Sequence, residues 1–233
     1  MENDTSLAPD TSALRRRGRP VGADSAATRR TIMGAARDLI AERGYHAATY
    51  QQIAVRAGVS RPTLHYYYAS REELYAKLLD DIRFQVERCI AEAMRHCSLR
   101  RQLAAFMAEM HRLGTAEPNL MKVIVTARID HHRGAHRHEA AVAVVATVHA
   151  FYDAVVVDAI RRGELAADTE AHVVADMLAA LFWGFGFHVG FVGAGRDAGH
   201  EERVGDAAEI ARQLMRLLDR GLLGSPVRAP ADV

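Results

Sequence analysis

Residues 49–74, TYQQIAVRAGVSRPTLHYYYASREEL, decide the fold at the front of the chain. Thr49 and Gln52 stand at the spacing of a capping box, in which hydroxyl and amide side chains satisfy each other's orphan backbone amides. Ile53, Ala54 and Ala57 give a short helix one compact apolar side, and Gly58 falls where a helix ends in a left-handed residue. Val59 is apolar just past that turn and can anchor the corner. Ser60 then caps a second short helix with Pro62 in its first turn, where a missing N–H costs nothing. Ser70 and Glu73 repeat the capping-box spacing and open a third helix. A helix, a glycine turn and a short capped helix are the parts of a helix-turn-helix, whose second helix enters the DNA major groove.

Upstream, Asp24 or Ser25 can cap a helix to about Arg43, with Ile32, Ala35, Ala36, Leu39 and Ile40 as its apolar stripe. Gly44 ends it and Tyr45 follows as a packing residue. Residues 1–24 show no helical period and read as a disordered arm carrying Arg15-Arg16-Arg17-Gly18-Arg19-Pro20. Arg17 and Arg19 are candidates to reach phosphates or a minor groove; a solvated basic tail is the plainer reading. Residues 1–71 hold 11 Lys and Arg against 6 Asp and Glu, the remainder 19 against 23, so a front of +5 precedes a back of −4. That asymmetry suggests a polyanionic partner for the front alone.

Downstream the pattern is helical throughout. A long helix from Ser70 carries Leu74, Leu78, Leu79, Ile82, Phe84 and Val86 towards Ile90, joining the small basic unit to the rest without a flexible linker. Further helices are expected over 98–113, after Pro118, over 139–162, from Asp168 or Thr169, and over 201–222. No strand or internal repeat is visible, so the fold class is all-α. The partition is a basic arm (1–24), a helix-turn-helix DNA-binding domain (25–75), a larger helical ligand-binding and dimerisation domain (76–224) and a loose tail (225–233). With half its residues hydrophobic and a quarter charged, the composition is that of a soluble globular protein. No apolar run is expected to reach the ~18–20 residues of a membrane span, the amino end lacks an apolar signal core, and a cytoplasmic location follows. Cys89 and Cys97, placed near the end of the long helix about 12 Å apart, are too distant to bridge.

Ile53-Ala54, Ala57-Gly58-Val59-Ser60, Thr63-Leu64, Tyr67-Tyr68 and Ser70-Arg71-Glu72-Glu73-Leu74 together resemble the signature of the tetracycline-repressor (TetR) family of transcription regulators. Ala35-Ala36, Leu39-Ile40 and Gly44-Tyr45 fit that family's first helix in order and spacing, so the likeness covers about residues 27–86. Beyond it only the helix pattern and Arg162-Gly163-Glu164-Leu165 match. The chain departs from the usual pattern in having His65 for a tyrosine, Tyr68 for a phenylalanine and Arg71 for a lysine.

If the helix from Ser60 to Tyr66 enters the major groove, Arg61 is the side chain suited to bidentate reading of guanine. Pro62 and Thr63 can touch thymine methyls, and Gln51 can reach a base or phosphate. Thr49, His65, Tyr66, Tyr67 and Arg71 are candidates for phosphate contacts that set position, while Thr49 and Ser60 also serve as caps and Tyr68 reads as core. One such helix reads few base pairs, so a two-fold homodimer on a palindromic double-stranded operator is expected. The resemblance implies dimerisation through the last two long helices and an effector pocket among the middle ones. Phe106, Met110, Met121, Val125, Phe151, Tyr152, Phe182 and Trp183 are the pocket candidates, implying a small hydrophobic or aromatic effector; plain core packing is the competing reading. The expected function is a ligand-released homodimeric repressor. The alternatives are a regulator without effector and a metal-responsive one using His131–His138, although that spacing fits no standard ligand motif. No nucleophile elbow, phosphate loop or paired-carboxylate constellation points to an enzyme, and no cofactor is implied.

Overall fold

A computed structural model describes residues 21–117, 119–132, 139–192 and 207–221. Among them lie nine α-helices and no strand: α1 (Val21–Arg43), α2 (Tyr50–Arg56), α3 (Arg61–Tyr67), α4 (Arg71–Ala93), α5 (Leu99–Ala116), α6 (Leu120–His132), α7 (Glu139–Arg161), α8 (Ala171–Phe187), continued by a π-helical turn His188–Val192, and α9 (Ala207–Gly221). The chain is all-α, as its periodicity implies. Helices α1 to α3 form a small head. The 23 residues of α4, about 35 Å of helix at 1.5 Å per residue, run from that head into a larger body and pack there on α5 and α7. Helix α7 packs on α8, and α6 lies between α1 and the end of α8.

Local chemistry sets these boundaries. Gly58 has φ +65°, and the chain closes α2 there with Gly58 N donating to Val55 O at 3.1 Å and Val59 N to Ala54 O at 3.0 Å; a side chain in that left-handed conformation would be strained. At the start of α4 the Ser70 hydroxyl accepts from Glu73 N at 3.0 Å, but the Glu73 carboxylate accepts from Ala69 N at 2.7 Å instead of returning to Ser70. Only half of the second expected capping box therefore forms. Four other expectations are corrected. Helix α1 already begins at Val21, ahead of Asp24 and Ser25. The cap of α8 is Glu170, without a side-chain bond, rather than Asp168 or Thr169. Cys97 lies past the end of α4 and is exposed, while Cys89 is buried in it. Phe84 is 58% exposed, because it falls off the stripe made by Leu78, Ile82, Val86 and Cys89.

In the body, Phe106 packs against Phe151 (ring centroids 4.5 Å), Phe182 (5.4 Å) and Tyr152 (6.0 Å, edge-on), and Phe182 meets Trp183 at 5.3 Å. Such aromatic pairs add to the area they bury. The Arg162-Gly163-Glu164-Leu165 turn fastens this body at its edge. Gly163 takes φ +72°; Glu164 Oε2 then accepts from Leu99 N at 2.7 Å at the amino end of α5, and Arg162 Nη2 donates to the buried Gln102 Oε1 at 3.3 Å. A carboxylate there satisfies an orphan amide and meets the positive end of the helix dipole. Glu164→Ala is expected to lower stability by about 1–2 kcal/mol, read as a lower urea midpoint at unchanged slope.

The expectation that no helix could reach membrane-spanning length does not hold: α7 and the stretch Ala171–Phe191 are long and apolar enough by length and composition. Helices apolar nearly all round are also what a large core requires. Here α7 buries Val144, Val148, Phe151, Tyr152, Val155 and Val156, and α8 buries Leu178, Ala179, Phe182 and Trp183.

Candidate nucleic-acid interface

Helix α2 starts with the full capping box: Thr49 Oγ1 accepts from Gln52 N at 3.2 Å and Gln52 Oε1 from Thr49 N at 3.0 Å. Helix α3 starts with Ser60, whose hydroxyl accepts from Thr63 N at 3.1 Å and lies 2.7 Å from the Thr63 hydroxyl. Leu64, with no exposed surface, is the peg that seats α3, and Tyr68 is core as expected, at 7% exposure. The Tyr50 hydroxyl donates to the Tyr68 carbonyl and ties the start of α2 to the end of α3. Because one turn of α3 is spent on that peg, the rest faces outward. Arg61, Pro62, His65 and Tyr66 are exposed on it, Tyr66 by 83%, with Thr63 half-buried beside them and Thr49, Gln51 and Ser60 exposed alongside. His65 also leans on Tyr50 (centroids 4.7 Å), with Nδ1 3.2 Å from Ala69 O.

Two further candidates, Tyr67 and Arg71, are also held by structural partners. Tyr67 is half-buried, and the guanidinium of Arg29 on α1 sits 5.6 Å from its ring centroid. Arg71 lies 4.5 Å over the Tyr45 ring and donates to Ala48 O at 3.4 Å; Tyr45 in turn stacks on Tyr75 at 4.3 Å and donates to Glu72 at 3.2 Å. Burial pushes the Tyr45 phenol up, while Arg71 pulls the other way. Arg71 thus staples the α1–α2 connection to the start of α4. Arg71→Ala is expected to loosen the head, read as faster amide exchange at Tyr45 and Tyr75. Arg29, exposed on α1 next to α3, was missed in the sequence because its helix reads only as a packing element. Arg56, also basic and exposed, is held by Glu42 at 2.6 and 2.8 Å, and that bond lowers the Glu42 carboxyl. Arg17 and Arg19 lie outside the described residues.

The eight pocket candidates are all buried, but they do not line one space. Met110, Met121 and Phe182 border a cavity of about 110 Å³, together with Gly114, Phe185 and Val189. Phe106, Phe151, Tyr152 and Trp183 make up the aromatic cluster beside it, where burial raises the Tyr152 phenol well above its ordinary value. Val125 flanks Gly186, where an added Cβ would come within 2.7 Å of Met121 Cε and 3.5 Å of Val125 Cγ2. Near this region Arg128 lies 4.5 Å over the Trp183 ring and 3.2 Å from His149 Nε2, and desolvation lowers its pKa. His131 and His132 end α6, while residues 133–138 lie outside the described set. Among the described residues no three His, Cys, Asp or Glu side chains converge as metal ligands, so the metal-responsive alternative gains no support.

A family model described as bacterial regulatory proteins, tetR family, matches residues 32–78, from the middle of α1 into α4. The head therefore carries the DNA-binding domain of the TetR family. A stretch of 48 residues is 46% identical to the transcriptional activator FasR of Mycolicibacterium smegmatis, spanning 21% of this chain and only 22% of that relative's length. The transcriptional repressor BepR of Brucella suis is 27% identical over 168 residues, 70% of this chain and 80% of BepR. Among solved structures, a TetR-like transcriptional regulator from Rhodococcus superposes with a TM-score of 0.65 at 20% identity, covering 90% of this chain and all of that one. Sequence identity is thus concentrated in the head, and the body shares the family's fold. These relatives are regulators, not enzymes.

Proposed function

We propose that this chain is a cytoplasmic, homodimeric DNA-binding repressor of transcription, released from a palindromic operator by a small hydrophobic or aromatic effector. The observation that carries the reading is the outward face of α3: Arg61, Pro62, His65 and Tyr66 stand exposed on a helix whose opposite side is pinned by Leu64. Arg61 reads a base edge, with Pro62, Thr63 and Gln51 beside it. Thr49, Ser60, His65, Tyr66 and Tyr67, with Arg17 and Arg19 of the arm, hold phosphates. Arg71 divides its charge between its staple and the backbone of the DNA.

A second copy is the natural cover for the outer face of α8, where Val173, Met177, Leu181, Phe187 and Phe191 are 37–50% exposed, and for Leu217 of α9, 68% exposed. Apolar stripes of this kind mark association surfaces. The effector would enter beside Met110, Met121 and Phe182, and the present cavity must widen to hold it, since drug-sized pockets run to about 300–1,000 Å³. The start of α6 carries the effect to the head: Asn119 Nδ2 donates to Asp38 Oδ1 of α1 at 2.8 Å, and Glu117 pairs with Arg37. Asn119→Ala is expected to leave operator affinity near wild type and to blunt release by effector, measured as the effector concentration for half-release. FasR is named an activator and BepR a repressor, so the sign of control belongs to the operator's position as much as to the fold.

The test of the reading is selection from a pool of random duplexes with the purified full chain. Enrichment of a two-fold symmetric sequence, half-sites about 10 base pairs or a multiple apart, is the expected result. Recovery of no common sequence would count against it.

A further inference from the structure

Arg29 stands exposed on α1, and its guanidinium carbon lies 5.6 Å from the ring centroid of Tyr67, the last residue of α3. Among the described residues no carboxylate pairs with it. Other arginines of the head are committed differently: Arg56 is clamped by Glu42 at 2.6 and 2.8 Å, Arg37 is paired with Glu117, and Arg71 lies over Tyr45. Burial pushes the Tyr68 phenol up while Arg29 pulls the other way, so the charge is felt at the end of α3. Tyr67 in turn meets Tyr66 edge-on at 5.2 Å, and Tyr66 is 83% exposed. Arg29, Tyr67 and Tyr66 thus form one run of contacts from α1 to the outward face of α3.

We propose that Arg29 grips a DNA phosphate beside the groove that α3 enters, and that the Tyr67 ring is what positions it there. The inference deepens the DNA reading above and rests on it. An α-helix with its side chains is about 10–12 Å across, and the major groove is about 12 Å wide. Helix α3 therefore fills the groove, and the elements that flank its end face the sugar–phosphate strands. A guanidinium matches two phosphate oxygens at once. Its contact with the Tyr67 ring orients the side chain before binding, so less rotamer freedom is lost when the phosphate arrives. Placed on α1, outside the reading helix, Arg29 sets affinity and register but not sequence. A two-fold pair would hold two such phosphates on each operator.

The test measures affinity of the full-length chain for the duplex enriched by selection, and for its single-base-pair variants, between about 50 and 200 mM salt. Arg29→Gln is expected to weaken all of them by one common factor. It should also shrink the slope of log affinity against log salt by about 2 for a symmetric pair, at about 0.9 per phosphate. The slope, unlike the affinity, does not respond to a partly unfolded fraction. Arg29→Lys, which keeps the charge, should keep the slope. In Tyr67→Phe, where the ring remains, Arg29→Gln should cost as many fold as in the wild type. In Tyr67→Leu it should cost several-fold less, a coupling that a double-mutant cycle isolates. An unchanged slope in Arg29→Gln would overturn the proposal by assigning the residue to the shape of the head. A loss confined to one base pair, or an equal cost in Tyr67→Leu, would overturn it too. A wild-type chain that enriches no symmetric duplex refutes the proposed function and this inference with it. A wild type that enriches one, with an unchanged slope in Arg29→Gln, refutes this inference alone.

Discussion

Phe106→Ala is expected to cost the body about 3–5 kcal/mol, the range for truncating a buried aromatic, and to lower the melting temperature by about 6–20 °C for a chain of this size. Phe106 has no exposed surface and touches rings from both α7 and α8, so its loss opens a void that no single neighbour can fill. Differential scanning calorimetry checks the magnitude. The same variant also separates core from pocket. If the aromatic cluster borders the effector site, a small aromatic ligand added to Phe106→Ala should recover part of the lost stability by filling the void. If the cluster is packing alone and closed to ligands, the deficit should not change.

Arg61→Ala is expected to leave stability within experimental error while removing about 1–3 kcal/mol of base discrimination per half-site, twice over on a symmetric operator. Its side chain is exposed at the first position of α3, so nothing in the fold depends on it. Competition binding against operators altered one base pair at a time measures the effect: the variant should lose preference at one pair in each half-site and keep it elsewhere. An equal loss against every sequence would recast Arg61 as a phosphate contact.

The head was legible in the sequence because its signals are local. The Thr49–Gln52 box, the left-handed Gly58 and the Ser60 cap each follow from spacing within a few residues, and each is found as read. What the sequence hid are long-range matters. Arg71 looks like a free cation until folding brings Tyr45 beneath it and the Ala48 carbonyl within reach. Glu73 has capping-box spacing, yet the path of the chain before Ser70 offers it the Ala69 amide instead. The pocket candidates were chosen by residue type, and type does not tell a cavity wall from a packed core: Met121 and Phe182 border the space, whereas Phe151 and Tyr152 fill the interior.

Helix α3 is proposed as one reading head of a symmetric pair, and a footprint of the purified full chain on DNA flanking its own gene distinguishes such a pair from unspecific binding. Protection of two symmetric half-sites is expected, weakened by Arg61→Ala and moved apart or lost when a suitable lipophilic compound is added. Uniform protection without boundaries, or a footprint identical in wild type and Arg61→Ala, would contradict it.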